Sequence, residues 1–274
     1  MCNYKKSINY LNNFFILFFA SKGPKNKLRF IFYIFLNLGN RLKIIRLKNK
    51  DFRLGFEDIE IWIGLSSGEL GGYIQLFIEN IDERVSDFKA NKGDVIFDIG
   101  SNIGLFALKQ AWRIGAKGKI WAFEPNAFVF RRLIKNLREN NITNTVTIQK
   151  AVTSKTGKIK FVVNANITPK GKPLHVREIS KNKNIIMEVE SVTLDDFVLE
   201  NNIRKINLMK IDVEGEEYEV LKGASQRTLF ITEKIVLEYH SEELKEKLIP
   251  LLKDKGFSLI LEDDKNFVLY FKNG

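Results

Sequence analysis

Acids and glycines fall where apolar runs end, and the most informative case is Val95-Ile-Phe-Asp98-Ile-Gly100-Ser-Asn102-Ile-Gly104-Leu-Phe-Ala-Leu108. The apolar residues before Asp98 read as a parallel strand buried on both faces, and the run after Asn102 continues as a helix. Gly100 and Gly104 permit a tight turn and a close backbone approach by a ligand. A dinucleotide pyrophosphate wants bare helix-terminal N–H groups and would be repelled by the Asp98 carboxylate, whereas a ligand carrying an ammonium and a sulfonium would be attracted. S-adenosylmethionine is such a ligand. A second reading of the same residues has Asp98 capping the helix and the glycines serving packing alone.

Lys119-Ile-Trp-Ala-Phe-Glu124-Pro125 is another apolar strand closed by an acid. It follows the glycines by roughly twenty residues, the spacing at which nucleoside-binding α/β folds place the carboxylate that grips ribose hydroxyls. Pro125 stops the strand, and Asn126 can cap a helix running through Asn140. Asp212 closes a third run, Ile206-Asn-Leu-Met-Lys-Ile-Asp212-Val-Glu214-Gly215-Glu216-Glu217, and His240 ends a fourth, Lys234-Ile-Val-Leu-Glu238-Tyr239-His240. All four would meet at the carboxyl edge of a parallel sheet, where ligands bind in open α/β folds. Glu216 and Glu217 fit the acidic first turn of a helix. Glu214 fits either role, and His240 fits a surface cap as well as a site.

DIGSNIG at Asp98, FEP at Phe123, Lys150-Ala151-Val152 followed by Gly157-Lys-Ile-Lys-Phe161, Val192-Thr-Leu-Asp-Asp-Phe197, and KIDVEGEEYEVLKGA from Lys210 to Ala224 follow one another along the chain. In order and spacing the series resembles the FkbM family of S-adenosylmethionine-dependent methyltransferases, over Tyr73 to His240. The usual family turn has Ala before the Asn, and Ser101 departs from it. The resemblance implies an α/β, Rossmann-like class I methyltransferase with a seven-stranded sheet whose last strand is antiparallel. It implies O-methylation of a hydroxyl on a sugar, glycan or natural-product-like acceptor. The cofactor-binding set it implies is Asp98, Gly100, Asn102, Gly104, Glu124 and Ala151, with Asp98 taking the methionine ammonium directly or through water. An alcohol must also lose its proton, and Asp212, Glu214 and His240 are the candidate catalytic bases. Asp212 with Glu238 or His240 could instead hold a magnesium ion, a divalent metal that is possible but not expected. Two other classes stay open. One is an NAD-dependent oxidoreductase, disfavoured by Asp98 and by Asn102 where a second close glycine would belong. The other is a catalytically silent, membrane-associated scaffold on the methyltransferase fold.

The elements that must position these residues follow a βαβ rhythm. Strands near Val95, Ile120, Val146, Ile206 and Ile235 alternate with helices near Gly104, Phe128, Tyr218 and Leu244. Phe257 to Glu262 and Asn266 to Phe271 read as a closing hairpin that supplies the antiparallel strand. Between Thr153 and Glu190, a short hairpin and a polar segment holding Pro169, Gly171, Pro173 and His175 form a candidate substrate lid. The expected division is an N-terminal helical/β extension over 1–50, connecting strands and a helix over 51–91, and the methyltransferase domain over 92–274.

With 274 residues, 45% of them hydrophobic, the chain can bury one large core plus an appendage. The single cysteine, Cys2, excludes an intrachain disulfide and a cysteine-rich zinc site, and a cytoplasmic location follows most simply. The net charge of +11 is local: residues 1–50 hold eleven Lys and Arg and no acid, leaving 33 basic against 33 acidic residues elsewhere. Two apolar runs there, Phe14 to Ala20 and Phe30 to Leu38, fall well short of the roughly twenty residues that span a bilayer. Aromatic runs flanked by lysines suit peripheral binding to an anionic membrane surface, and helices packed on the core or on a homodimer partner are the other reading. A secretory signal is disfavoured because Phe18 stands where a small residue is required. Nucleic acid is not an expected partner, since the catalytic part has no basic excess.

Overall fold

The computed structural model describes residues 14–42, 44, 50–64, 68–164, 171–173 and 184–274. Pro169 and His175 of the candidate lid lie outside the described residues. Residues 14–20 are helical and lead into helix α1 (Gly23–Arg41). An antiparallel hairpin follows, β1 (Asp51–Phe56) with β2 (Ile59–Gly64), then a short helix α2 (Glu69–Tyr73) that runs into a π-helical turn at Ile74–Ile78.

The alternating unit then begins with β3 (Val95–Ile99), α3 (Leu105–Ile114), β4 (Lys119–Phe123), α4 (Ala127–Glu139) and β5 (Thr145–Ile148). Strands β6 (Ala151–Val152), β7 (Gly157–Asn164), β8 (Gly171–Pro173) and β9 (Asn184–Val192) form a separate small sheet in the order β6-β9-β7-β8. Helix α5 (Leu194–Glu200), β10 (Leu208–Ile211), α6 (Glu217–Lys222), α7 (Gln226–Phe230), β11 (Lys234–Glu238), α8 (Glu242–Asp254), β12 (Phe257–Asp263) and β13 (Val268–Asn273) complete the chain.

The main sheet has seven strands in the order β12-β13-β11-β10-β3-β4-β5. β13 runs antiparallel to both neighbours, while β11, β10, β3, β4 and β5 are mutually parallel. Because β3 connects outward to β4 and β5 on one side while β10 and β11 build the other, the strand order reverses between β3 and β10. That crevice is where open α/β sheets bind ligands. The parallel strands read as continuous apolar runs because both faces are covered. Ile96 packs into one core with α3, α4 and the β1–β2 hairpin, and its neighbours Phe97 and Ile99 pack into the other with α5, α6 and α8.

Side-chain caps fix the helix starts. Asn126 accepts from the Phe128 N–H at α4, as its sequence position predicts, and Thr193 and Ser241 do the same at α5 and α8. Helix α3 has no side-chain cap and starts from Gly104 at φ 87°, so Asp98 does not serve as its cap.

One face of α1 packs on the hairpin: Phe30 meets Phe56 and Tyr33 meets Phe52, with ring centroids 5.9 Å and 5.7 Å apart. The hairpin is in turn fastened to α4. The Asn136 side chain accepts from the Trp62 N–H at 2.6 Å and donates to the Ile103 carbonyl at 2.8 Å, and Asn140 bonds both backbone groups of Glu60. Arg132 donates to Asp51 at 2.6 Å and to buried Glu69 at 2.9 Å, which ties α2 to the same helix. On the far side, Lys109 and Gln110 of α3 hold Asp82 at 2.6 Å and 3.0 Å, fixing the end of the segment that follows the π turn.

Candidate active site

The turn after β3 passes through three left-handed residues, Gly100 at φ 82°, Asn102 at φ 51° and Gly104 at φ 87°. A Cβ on Gly100 would lie 1.8 Å from the Asp212 carbonyl oxygen, and one on Gly104 would lie 2.5 Å from Leu133 Cδ1. The chain itself makes a close approach at both glycines, and Gly100 also borders a ligand-sized space. Gly100 lets the loop after β10 cross the loop after β3, and Gly104 lets α3 settle on α4.

Asp98 sits inside the sheet edge with no solvent exposure. Its register partner on β10 is Lys210, whose Nζ lies 3.6 Å from Asp98 Oδ1, 3.2 Å from Asp212 Oδ2 and 3.3 Å from the Gly100 carbonyl. Sequence reasoning missed this lysine. Its signal was a lone cation inside an otherwise apolar parallel strand, which must find a carboxylate when buried. Burial pushes the Asp98 carboxyl up from its ordinary range, and Lys210 opposes that shift. Burial works against the charge on Lys210, but Asp212, Asp98 and Glu238 outweigh it and hold the ammonium above its usual pKa. Both Asp98 carboxylate oxygens are buried without a hydrogen-bond partner among the described residues, as is Asn102 Oδ1.

Glu124, also buried, closes β4 as expected and turns toward the glycine turn. Its Oε2 accepts the Asn102 N–H at 3.0 Å and its Oε1 the Asn126 N–H at 2.8 Å. Burial raises its pKa to about 7, against the pull of those two N–H groups. Each oxygen keeps a lone pair for a further donor. Ala151 and Val152 on β6, with Phe161 on β7, provide the apolar side of the cleft next to Glu124.

The structure brings Asp212, Glu214 and His240 together. His240 Nε2 lies 3.8 Å from Asp212 Oδ1, 3.6 Å from Glu214 Oε2 and 4.0 Å from Glu238 Oε1. Its other nitrogen, Nδ1, is 2.9 Å from Glu217 Oε1, which also accepts the N–H groups of Val213 and Gly215. Glu217 has no solvent exposure and fixes the ring, so it is more than the helix-opening acid that its sequence position predicts. Burial opposes charge on His240, yet Glu217, Asp212 and Glu214 override it and raise the pKa to about 9. A pKa of about 9 favours the imidazolium at neutral pH, a counter-charge for the neighbouring acids. Asp212, Glu238 and His240 each offer one ligand atom within 4.8 Å of the others. An imidazolium has no lone pair for a metal, so a cation would first have to displace that proton.

A cavity of about 400 Å³ opens over this edge. Gly100, Asn102, Lys210, Asp212 and Glu238 line one side, and Gly68, Gly71, Gly72, Gln75 and Glu79 from α2 and the π turn line the other. Gly100, Asn102 and Asp212 also border the Glu124 cleft, so the two spaces share a wall. Asn102 Oδ1, buried without a partner on the wall the two spaces share, suits a donor-rich group, and Glu124 suits vicinal hydroxyls beside an apolar plane, whereas Asp98 lines neither space and its carboxylate is paired with Lys210. An amino acid's ammonium joined to an adenosine has both features, so the residues present fit S-adenosylmethionine.

A doubly wound sheet of this order, with acids at the ends of β3, β4 and β10 and ligand space over the switch point, defines a class I S-adenosylmethionine-dependent methyltransferase. Residues 98–259 match the Methyltransferase FkbM domain, and the chain belongs to that family. Among curated relatives it is similar to the hexuronic acid methyltransferase AglP of Haloferax volcanii, 28% identical over 237 residues, which are 76% of this chain and 92% of that protein. It is also similar to the 31-O-demethyl-FK506 methyltransferase FkbM of Streptomyces tacrolimicus, 28% identical over 64% of this chain and 76% of the relative. The 2-O-methyltransferase NoeI of Sinorhizobium fredii is 28% identical over 64% of this chain and 79% of its own length. Among solved structures, Aeropyrum pernix fibrillarin in complex with S-adenosyl-L-methionine aligns with a TM-score of 0.47, at 14% identity over 82% of each chain.

Proposed function

We propose that the enzyme methylates a hydroxyl of a sugar, glycan or sugar-like natural product in the cytosol, with Asp212 as the group that takes the hydroxyl proton. One observation carries the assignment. Asp212 stands in the wall that the large cavity shares with the Glu124 cleft, with Lys210 on one carboxylate oxygen and His240 near the other. The activities for which AglP, FkbM and NoeI are named support a hydroxyl-bearing acceptor of this class.

When bound, S-adenosylmethionine supplies an electrophilic methyl group on a sulfonium. Glu124 would hold the ribose hydroxyls, Asn102 the ammonium, and Ala151 with Val152 the purine. The acceptor would enter from the α2 side, where Gln75 and Glu79 can hydrogen-bond further hydroxyls. As the acceptor oxygen gains the methyl as a third substituent its proton becomes strongly acidic, and a carboxylate within reach removes it, a contribution of about a hundredfold to ten-thousandfold. His240 and Lys210 flank Asp212 and fix its direction. Glu214 shares the imidazolium. Holding the reacting atoms in line supplies on the order of 7–11 kcal/mol of the barrier reduction.

Calorimetric titration of S-adenosylmethionine into wild-type, Glu124→Gln and Asp212→Asn protein, followed by methyl transfer to a panel of uronic acids and glycosides, tests the assignment. Glu124→Gln should weaken binding at least tenfold. Asp212→Asn should bind the cofactor like wild type and lose transfer. Full transfer by Asp212→Asn would remove it as the base.

A further inference from the structure

We propose that the outer face of α1, with the helical residues 14–20, is a docking surface for an anionic lipid bilayer. The inference concerns a different part of the molecule from the methyl-transfer site. Helix α1 is apolar on two opposite sides. Its inner side buries Phe30 and Tyr33 completely against the β1–β2 hairpin. At 100° per residue, Leu28, Ile31, Phe32, Phe35 and Leu38 fall on one stripe that faces away from that contact. The stripe is open to solvent: Leu28 is 69% exposed, Phe35 65% and Phe32 54%. Phe19, in the preceding helical segment, is 71% exposed. Solvent-exposed stripes of this size and aromatic content mark interaction surfaces.

Charge decides the occupant. Residues 1–50 carry eleven basic side chains and no acid. Lys25 and Lys27 flank the apolar stripe on its two sides, and Lys27 Nζ rests 5.2 Å from the Phe18 ring centroid and 5.9 Å from that of Phe19. Cations at the rim of an aromatic face match the interfacial region of a bilayer, where rings sit among headgroups and ammonium groups reach the phosphates. A second copy of the chain would bring the lysines flanking this stripe against one another and is disfavoured by that repulsion. Nucleic acid would satisfy the lysines but leave the rings uncovered. Among the described residues no helix is long and apolar enough to cross a membrane, which fits a helix lying in the interface.

Full-length protein is sedimented with vesicles of phosphatidylcholine alone and of phosphatidylcholine with phosphatidylglycerol, beside two variants, Phe32→Gln/Phe35→Gln and Lys25→Glu/Lys27→Glu. Phe32, Phe35 and Lys25 are exposed and Lys27 is half-buried over the Phe18 and Phe19 rings, so neither variant touches the buried side of α1, and thermal melting confirms that both fold. Wild type should bind anionic vesicles at least tenfold better than neutral ones, and each variant should lose at least tenfold of that affinity. Wild-type protein that ignores anionic vesicles overturns the proposal, as do variants that bind like wild type. So does a wild-type dimer in analytical ultracentrifugation that Phe32→Gln/Phe35→Gln converts to monomer, because the stripe would then belong to a second copy.

Discussion

Lys210 and Asp98 face each other across neighbouring parallel strands, with Nζ 3.6 Å from Oδ1 and the carboxylate closed to solvent. Removing one member of such a pair strands the other charge. Lys210→Met should cost about 3–5 kcal/mol of stability in urea unfolding, and Asp98→Asn in the same background should restore much of it. A double variant as unstable as the sum of the two single ones would show that the residues are not coupled.

Gly100 and Gly215 both have positive φ, but only Gly100 is crossed by another backbone segment. A Cβ on Gly215 meets nothing within 4 Å, whereas one on Gly100 overlaps the Asp212 carbonyl. Gly215→Ala should therefore cost only left-handed strain, about 1–2 kcal/mol. Gly100→Ala should cost more than that and abolish transfer, because it pushes apart the loops that share the cavity wall. Equal destabilisation of the two would contradict the crossing.

The chain has two histidines, so His175→Gln leaves His240 as the single imidazole signal in a proton NMR titration. It should titrate near pH 9, above the ordinary histidine value of 6.5. A raised folded-state pKa favours the fold when the ring is charged. The contribution, on the order of 3 kcal/mol, is complete below pH 6.5 and is lost as pH rises through 9. Glu217→Gln should move the titration back toward 6.5 while leaving cofactor affinity unchanged.

Glu124 has the opposite linkage. Its pKa is raised to about 7 by burial, so the fold resists its ionisation from pH 4.5 up to 7 and the associated penalty grows over that window. Ribose hydroxyls donate best to the ionised carboxylate. Cofactor binding near pH 7 should therefore release a fraction of a proton, visible as a dependence of the calorimetric enthalpy on buffer ionisation heat. Glu124→Gln should abolish that dependence.

The sheet and its edge were legible because strand-ending acids are unusual where apolar runs close. Asp98, Glu124, Asp212 and His240 each announced a strand end, and the closing hairpin announced the antiparallel strand. Lys210 was hidden inside its strand, where a single polar residue in an apolar run attracts no notice until the partner strand is known. Glu217 was hidden for another reason. Local rules explain an acid in a first helical turn completely, so the histidine 23 residues away that it orients had no sequence signal. That the loop after β10 crosses Gly100 had no local signal either, since the crossing joins residues more than a hundred positions apart.

Helix α2 and the π turn come before the first strand of the catalytic sheet, yet they form one wall of the large cavity. Glu69 links them to Gly64 of the hairpin and to Arg132, and the hairpin carries α1. The wall proposed to meet the acceptor and the helix proposed to meet the bilayer thus belong to one N-terminal block, apart from the strands that carry Asp98, Glu124 and Asp212. On that proposal, substitutions confined to this block would alter acceptor choice and membrane contact together while leaving the sheet edge as it is.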